Sequence, residues 1–157
     1  MNGCFGCDPA NKSGLAAVFH RDGTGRLAAR CRPASNHRGL GNIVHGGLVA
    51  SFGEELAALE AGTKGDGGLL AAEMHVKFEG PVEVGSEMSA VVTASRTEGR
   101  RVFVTVEVSA AGRRVSTVDS TFVLIPEEKL RAVTGIGLDR APACLVAGRG
   151  ELPVLPG

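Results

Sequence analysis

The hydrophobic period of the chain changes twice, dividing it into a short strand pair, a helix and a run of longer strands. Near the start, "GLAAVFHRDGTGRLAARCRP" holds two short apolar runs separated by Asp22-Gly23-Thr24-Gly25, the composition of a hairpin turn. The glycine-rich "ASNHRGLGN" follows as a loop, and from His45 the apolar spacing becomes helical. Leu48, Phe52, Leu56 and Leu59 fall on a narrow arc of a helical wheel and predict a buried stripe. Gly62 is the candidate C-terminal cap, with "GTKGDGG" as a loop after it. Met74, Val76 and Phe78 then alternate with Glu73, His75 and Lys77, a half-buried strand pattern that Gly80-Pro81 interrupts. "EMSAVVTASRT", "RVFVTVEVSA" and "RRVSTVDSTFVLI" read as three more strands, with turns at Glu98-Gly99-Arg100 and Ala111-Gly112-Arg113. These elements predict one α+β domain over residues 1–125, a long helix against an antiparallel sheet of five to six strands. Residues 126–157 carry four of the seven prolines and no strong period, and are expected to form a C-terminal extension.

Composition narrows the function. Lysine plus arginine and aspartate plus glutamate number 17 each, so no net field draws the chain to nucleic acid or an anionic membrane. No apolar run approaches the ~20 residues of a membrane span, and "MNGCFGCDPANKSG" lacks the regions of a secretory signal, so a cytoplasmic protein is expected. Cys4, Cys7, Cys31 and Cys144 are accordingly expected as thiols. Cys4-x-x-Cys7 has the spacing of half a zinc site, which Cys31, His20 or His37 could complete. Without a second pair at regular spacing it reads as a turn before the first strand, and no metal and no cofactor are expected.

The helix carries the candidate chemistry. Its start, His45-Gly46-Gly47, offers free N–H groups and the positive end of the macrodipole, which suit a developing oxyanion. Glycine at 46 and 47 lets a carbonyl approach the backbone, although a Gly-Gly pair also serves a tight strand-to-helix turn. With Leu48 at zero and about 100° per residue, Glu54 falls near 240° beside Gly47, Ala50 and Ala58. On the same count Glu55 falls near 340°, at the margin of the leucine stripe, where burial raises a carboxyl pKa. Periodicity does not choose between the two. Eight residues at a rise of about 1.5 Å put some 12 Å between Gly46 and Glu54. If both act on one carbonyl, the helix start comes from one protomer and the carboxylate from its partner across a two-fold axis.

At these residues the sequence resembles the hotdog-fold acyl-CoA thioesterases, in the branch that includes the phenylacetate-pathway thioesterases. "HRGLGNIVHGGLVASFGEE" is similar to that branch's loop, Gly-x-x-His-Gly-Gly and apolar stretch ending in Asp-Glu. "CFGCDPANKSGLAAVF" resembles its Cys-x-x-Cys opening, and "AEMHVKFEGPVEVGSEM" its strand after the helix, so the likeness runs from residue 4 to 125. The resemblance implies a long central helix wrapped by a curved sheet, a homodimer with joined sheets and, in many members, a homotetramer. It implies hydrolysis of an acyl-CoA thioester, with coenzyme A as part of the substrate. Glu54, nine positions after the motif histidine, corresponds to the acidic catalytic residue, Gly46 to the N–H donor, and His45 to the motif histidine, expected to shape the loop and to join the catalytic set by contacting the thioester. Gly47, Asn42 and Ser51 are expected around the substrate. The Gly99-Arg100 turn is expected at the CoA phosphates, with Arg96, Arg101, Arg113 and Arg114 as further cations. The chain departs from the pattern in having Glu rather than the commoner Asp at 54, Asn42 in the loop, and Ala71-Ala72 where Thr is common. A non-catalytic acyl-CoA-binding protein and a hotdog hydratase or dehydratase are the alternatives; no His/Asp pair placed for the latter is found.

Overall fold

The computed structural model describes residues 3–140. Strands β1 (Val18–Arg21) and β2 (Leu27–Cys31) lead through a single 3-10 turn, Ser35–His37, to the helix α1 (Gly46–Gly62). Four longer strands follow, β3 (Gly68–Phe78), β4 (Met88–Glu98), β5 (Arg101–Ala110) and β6 (Arg113–Ile125), and then a short helix α2 (Glu127–Thr134). All six strands form one curved antiparallel sheet in the order β1-β2-β4-β5-β6-β3, so β1 and β3 are its edges.

The sheet closes on α1 because one face of each strand is apolar. In β5, Val102, Val104, Val106, Val108 and Ala110 are buried while the residues between them are half-buried. They meet Phe52, Leu56, Ala57 and Ala61, all fully buried on α1. The helix lies close to the sheet because position 53 lacks a side chain: a Cβ there would stand 2.6 Å from Val118 Cγ2 and 3.3 Å from Val108 Cγ2. Phe122, Leu27 and Met88 fill the remaining core.

Four expectations need correction. Leu48 is half-buried, and the buried face of α1 is wider than the leucine stripe, taking in Val49, Ala50 and Ala58. Gly62 is the last helical residue; the cap is Thr63, in right-handed conformation, with its N–H on the Glu60 carbonyl. β3 begins at Gly68, so Ala71-Ala72 lie inside it, across a bulge from Phe122 and Thr121. Met74 and Phe78 are 47% and 55% exposed rather than half-buried, because the strand that carries them is an uncovered edge. After β6, α2 packs Leu130 with Ile125 and Leu138 into a second small core, beside Gly68, where a Cβ would meet the Leu130 side chain. Residues 141–157, most of the anticipated extension and Cys144 with it, lie outside the described residues. Among the described residues no helix is long and apolar enough to cross a membrane.

Candidate active site

The start of α1 is positioned by the strap before it. Val44 N–H donates to the Val82 carbonyl and His45 N–H to the His37 carbonyl, at 2.8 and 3.0 Å. His37 is buried; its Nδ1 accepts from Ala34 N–H, which leaves Nε2 to donate to the Ser13 carbonyl. It is a brace of the loop. His45 is the N-cap of α1, and its Nδ1 accepts from Gly47 N–H at 3.0 Å. A side chain at 47 would crowd that imidazole, since its Cβ would stand 3.0 Å from Nδ1. Gly47 N–H is therefore committed to His45. Gly46 N–H has no hydrogen-bond partner among the described residues and is the open donor at the positive end of the helix.

Two turns on, Glu54 lies in an open groove of about 360 Å3 between α1 and β3, lined by Ser51, Ala71, Ala72, Glu73 and Met74. Ser51 is fixed there by donating to the Gly47 carbonyl at 2.9 Å. Burial, and second the neighbouring charge of Glu55, push the Glu54 carboxyl from 4.5 up to about 7. A carboxylate in that range is matched to proton transfer near neutrality. Periodicity left Glu54 and Glu55 undivided, and the fold divides them: Glu54 faces the groove, whereas Glu55 lies against the loop of Cys4 and Cys7.

Within one protomer Gly46 and Glu54 stay apart. The helix runs against β3, with Gly46 beside Phe78, whose ring would lie 3.4 Å from a Cβ at 46, and Glu54 beside Ala71–Met74. Asn42 is exposed, and its carbonyl accepts from Val84 N–H. The turn before β5 holds Gly99 at a φ of 59°, the left-handed region glycine favours, and Arg100 beside it is exposed. Of the arginines near the turns, Arg96 stacks on Phe103 and pairs with Glu98, and Arg114 bridges Glu79 and Glu107. Arg100, Arg101 and Arg113 have no ion-pair partner among the described residues. The sequence missed the Glu73 and Met74 wall of the groove, because Met74 read as core, and it missed the meeting of Glu55 with the cysteines, which no local spacing encodes.

A six-stranded antiparallel sheet wrapped on one long helix defines the hotdog class, and solved structures bear the class out. The chain superposes on a mutant phenylacetic acid degradation protein from Thermus thermophilus with a TM-score of 0.65 at 20% identity, covering 75% of this chain and 100% of that one. A mutant thioesterase from Pseudomonas aeruginosa gives 0.65 at 16% identity, over 71% and 83% of the two chains. A phenylacetic acid degradation-related protein from Ralstonia eutropha gives 0.62 at 21%, over 75% and 92%. No protein of curated function matches the sequence. Residues 41–117, from the loop before α1 into β6, match the thioesterase superfamily. The fold is therefore that of the hotdog class, and within it residues 41–117 are similar to the thioesterase superfamily.

Proposed function

We propose that the protein hydrolyses acyl-CoA thioesters as a homodimer, with Gly46 N–H of one protomer and Glu54 of its partner acting on the same carbonyl. The similarity of residues 41–117 to the thioesterase superfamily supports thioester hydrolysis in general. The observation that carries the finer reading is the half-buried carboxylate of Glu54 in a groove on the open edge of the sheet. An edge strand as long as β3, with Met74 and Phe78 exposed, is stabilised by a second strand. Antiparallel pairing of two copies of β3, centred near His75, would set Phe78 of one opposite Ala71–Met74 of the other. Since Phe78 marks the helix start and Ala71–Met74 mark Glu54, each pairing would build two sites.

The chemistry then balances with the residues at hand. Gly46 N–H holds the thioester oxygen as it gains charge. Glu54 takes a proton from water, whose oxygen bonds to the carbonyl carbon; the tetrahedral adduct breaks its C–S bond, and the departing thiolate receives the proton. In the alternative order Glu54 itself attacks, giving a mixed anhydride that water then cleaves. A single turnover in 18O-labelled water separates general-base attack, which labels the first acid released, from an anhydride cleaved at the Glu54 carbonyl, which releases unlabelled acid and leaves the label in Glu54. The CoA arm would run toward Arg100 and Arg101, at the end of the sheet where β3 begins.

Subunit complementation tests the whole arrangement. Gly46→Pro removes the N–H at the first helical position, where proline is otherwise well tolerated, and Glu54→Gln removes the carboxylate. Each variant alone should be inactive on acyl-CoA esters, while the refolded mixture should regain up to a quarter of wild-type activity, because half of its dimers are mixed and each has one intact site. A mixture as inactive as its parts would refute the shared site. An active Glu54→Gln protein would leave another chemistry as the function, and a wild-type protein that binds acyl-CoA without turnover would leave an acyl-CoA-binding protein.

A further inference from the structure

The N-terminal cysteine pair meets a third ligand-bearing side chain in the fold. Cys4 and Cys7 are far from Glu55 in sequence, yet one ligand atom from each of the three lies within 4.8 Å of the other two. Cys4 Sγ is 3.9 Å from both Glu55 oxygens. A zinc ion with bonds of about 2.3 Å to sulfur and about 2.1 Å to oxygen holds tetrahedral donors about 3.6–3.8 Å apart. The Cys4–Glu55 spacing is within a few tenths of an ångström of that value, and the other two are no longer than 4.8 Å.

The surroundings are built to this convergence. A Cβ at position 6 would collide with the Glu55 carboxyl group, so glycine between the two cysteines is what admits the carboxylate. Burial first, and then the Cys7 side chain, push the Cys4 thiol up to about 11, against a hydrogen bond from the Cys7 backbone that lowers it. The loop is pinned from behind, with Leu15 and Ala17 N–H groups on the Phe5 and Gly6 carbonyls at 2.8 Å. The buried Asp8 carboxylate accepts from Gly3 and Ala10 N–H at 2.9 Å.

We infer that Cys4, Cys7 and Glu55 bind a thiophilic divalent cation of the zinc class, which clasps the N-terminal loop to the flank of α1 beside the groove. Metal–sulfur bonds replace the two S–H bonds, two protons leave to solvent, and a water completes the tetrahedron. This departs from the metal-free expectation drawn from sequence, where only the cysteine pair was visible. It is independent of the thioesterase reading, since neither Gly46 nor Glu54 is a ligand.

The test uses the full chain, reduced and stripped with a chelator, then titrated with Zn(II) and with Co(II). Elemental analysis after gel filtration should give one zinc per chain. The cobalt adduct should show a near-ultraviolet sulfur-to-metal charge-transfer band, and zinc should raise the melting temperature. Cys7→Ser should lose the band and the zinc, Glu55→Gln should bind about tenfold more weakly or worse, and Cys31→Ser should bind as the wild type does. Substoichiometric zinc, a cobalt spectrum without the band, or wild-type affinity in folded Glu55→Gln would overturn the inference. Circular dichroism verifies folding, and if Cys7→Ser does not fold, the wild-type cobalt spectrum and Glu55→Gln decide.

Discussion

Replacing Glu54 by Gln should make the protein slower and more stable, and the two effects should have different pH dependences. The folded chain raises the Glu54 carboxyl from 4.5 to about 7, burial first and the Glu55 charge second. At about 1.4 kcal/mol per pKa unit, the ionised group weakens the fold by at most about 3 kcal/mol. For an acid whose folded pKa is raised, this penalty is absent below pH 4.5, grows as pH rises through the interval, and is complete above about 7. Glutamine keeps the volume and has no charge to desolvate. The melting temperature of Glu54→Gln relative to wild type should therefore be near zero difference at pH 4 and climb to about 6–12 °C at pH 8 for a chain of this size. Hydrolysis, followed by release of free thiol, should fall at least about a hundredfold, about 2.7 kcal/mol of barrier. A stability difference flat across pH 4–8 would refute the burial of the carboxylate. Activity within tenfold of wild type would refute its role.

Other expected outcomes follow from single contacts. Gly53→Ala should destabilise by about 1–3 kcal/mol through overpacking, because its Cβ would stand 2.6 Å from Val118 Cγ2; adding Val118→Ala should recover part of the loss in denaturant melts, and a neutral Gly53→Ala would contradict the close helix–sheet approach. Asp22 accepts from Thr24 and Arg26 in the first hairpin, which lowers its carboxyl from 3.8 to about 2. That contribution is present above pH 3.8 and is lost as pH falls toward 2, so Asp22→Ala should melt below wild type at pH 7 and converge with it near pH 2. Arg100→Glu should raise KM for CoA esters several-fold more than for a truncated thioester lacking the nucleotide; equal effects would exclude the contact.

Much of the fold was legible because its signals are local. Alternation in "RVFVTVEVSA" gives β5, the Asp22-Gly23-Thr24-Gly25 turn gives the first hairpin, and the glycines at 99 and 112 give turns whose φ values of 59° and 73° suit them. The parts misread depend on neighbours distant in sequence. Gly68–Ala72 reads as loop and pre-strand because its strand character comes from pairing with Phe122–Ile125, and α2 is amphipathic over only eight residues, held by a single buried Leu130. Met74 and Phe78 have the alternation of core residues but sit on an edge, and only strand order distinguishes an edge from a centre.

The same distinction explains how far the site could be read. The His45-Gly46-Gly47 entrance is a local signal, since a cap and a glycine are properties of adjacent residues, and the structure adds that His45 occupies the Gly47 N–H and so singles out Gly46. The choice between Glu54 and Glu55 is not local. Both carboxylates leave the same helical turn about 100° apart, and what each does is decided by what lies opposite: β3 and its open groove for one, the Cys4–Cys7 loop for the other. Two adjacent acids with different neighbours can thus divide the labour, one taking the substrate's proton traffic while the other anchors the chain's first loop. The division requires that helix and loop be fixed in rotation about each other. The buried face of α1 fixes the helix against the sheet, and Gly6 admits the Glu55 carboxyl to the loop, since a Cβ there would displace that side chain.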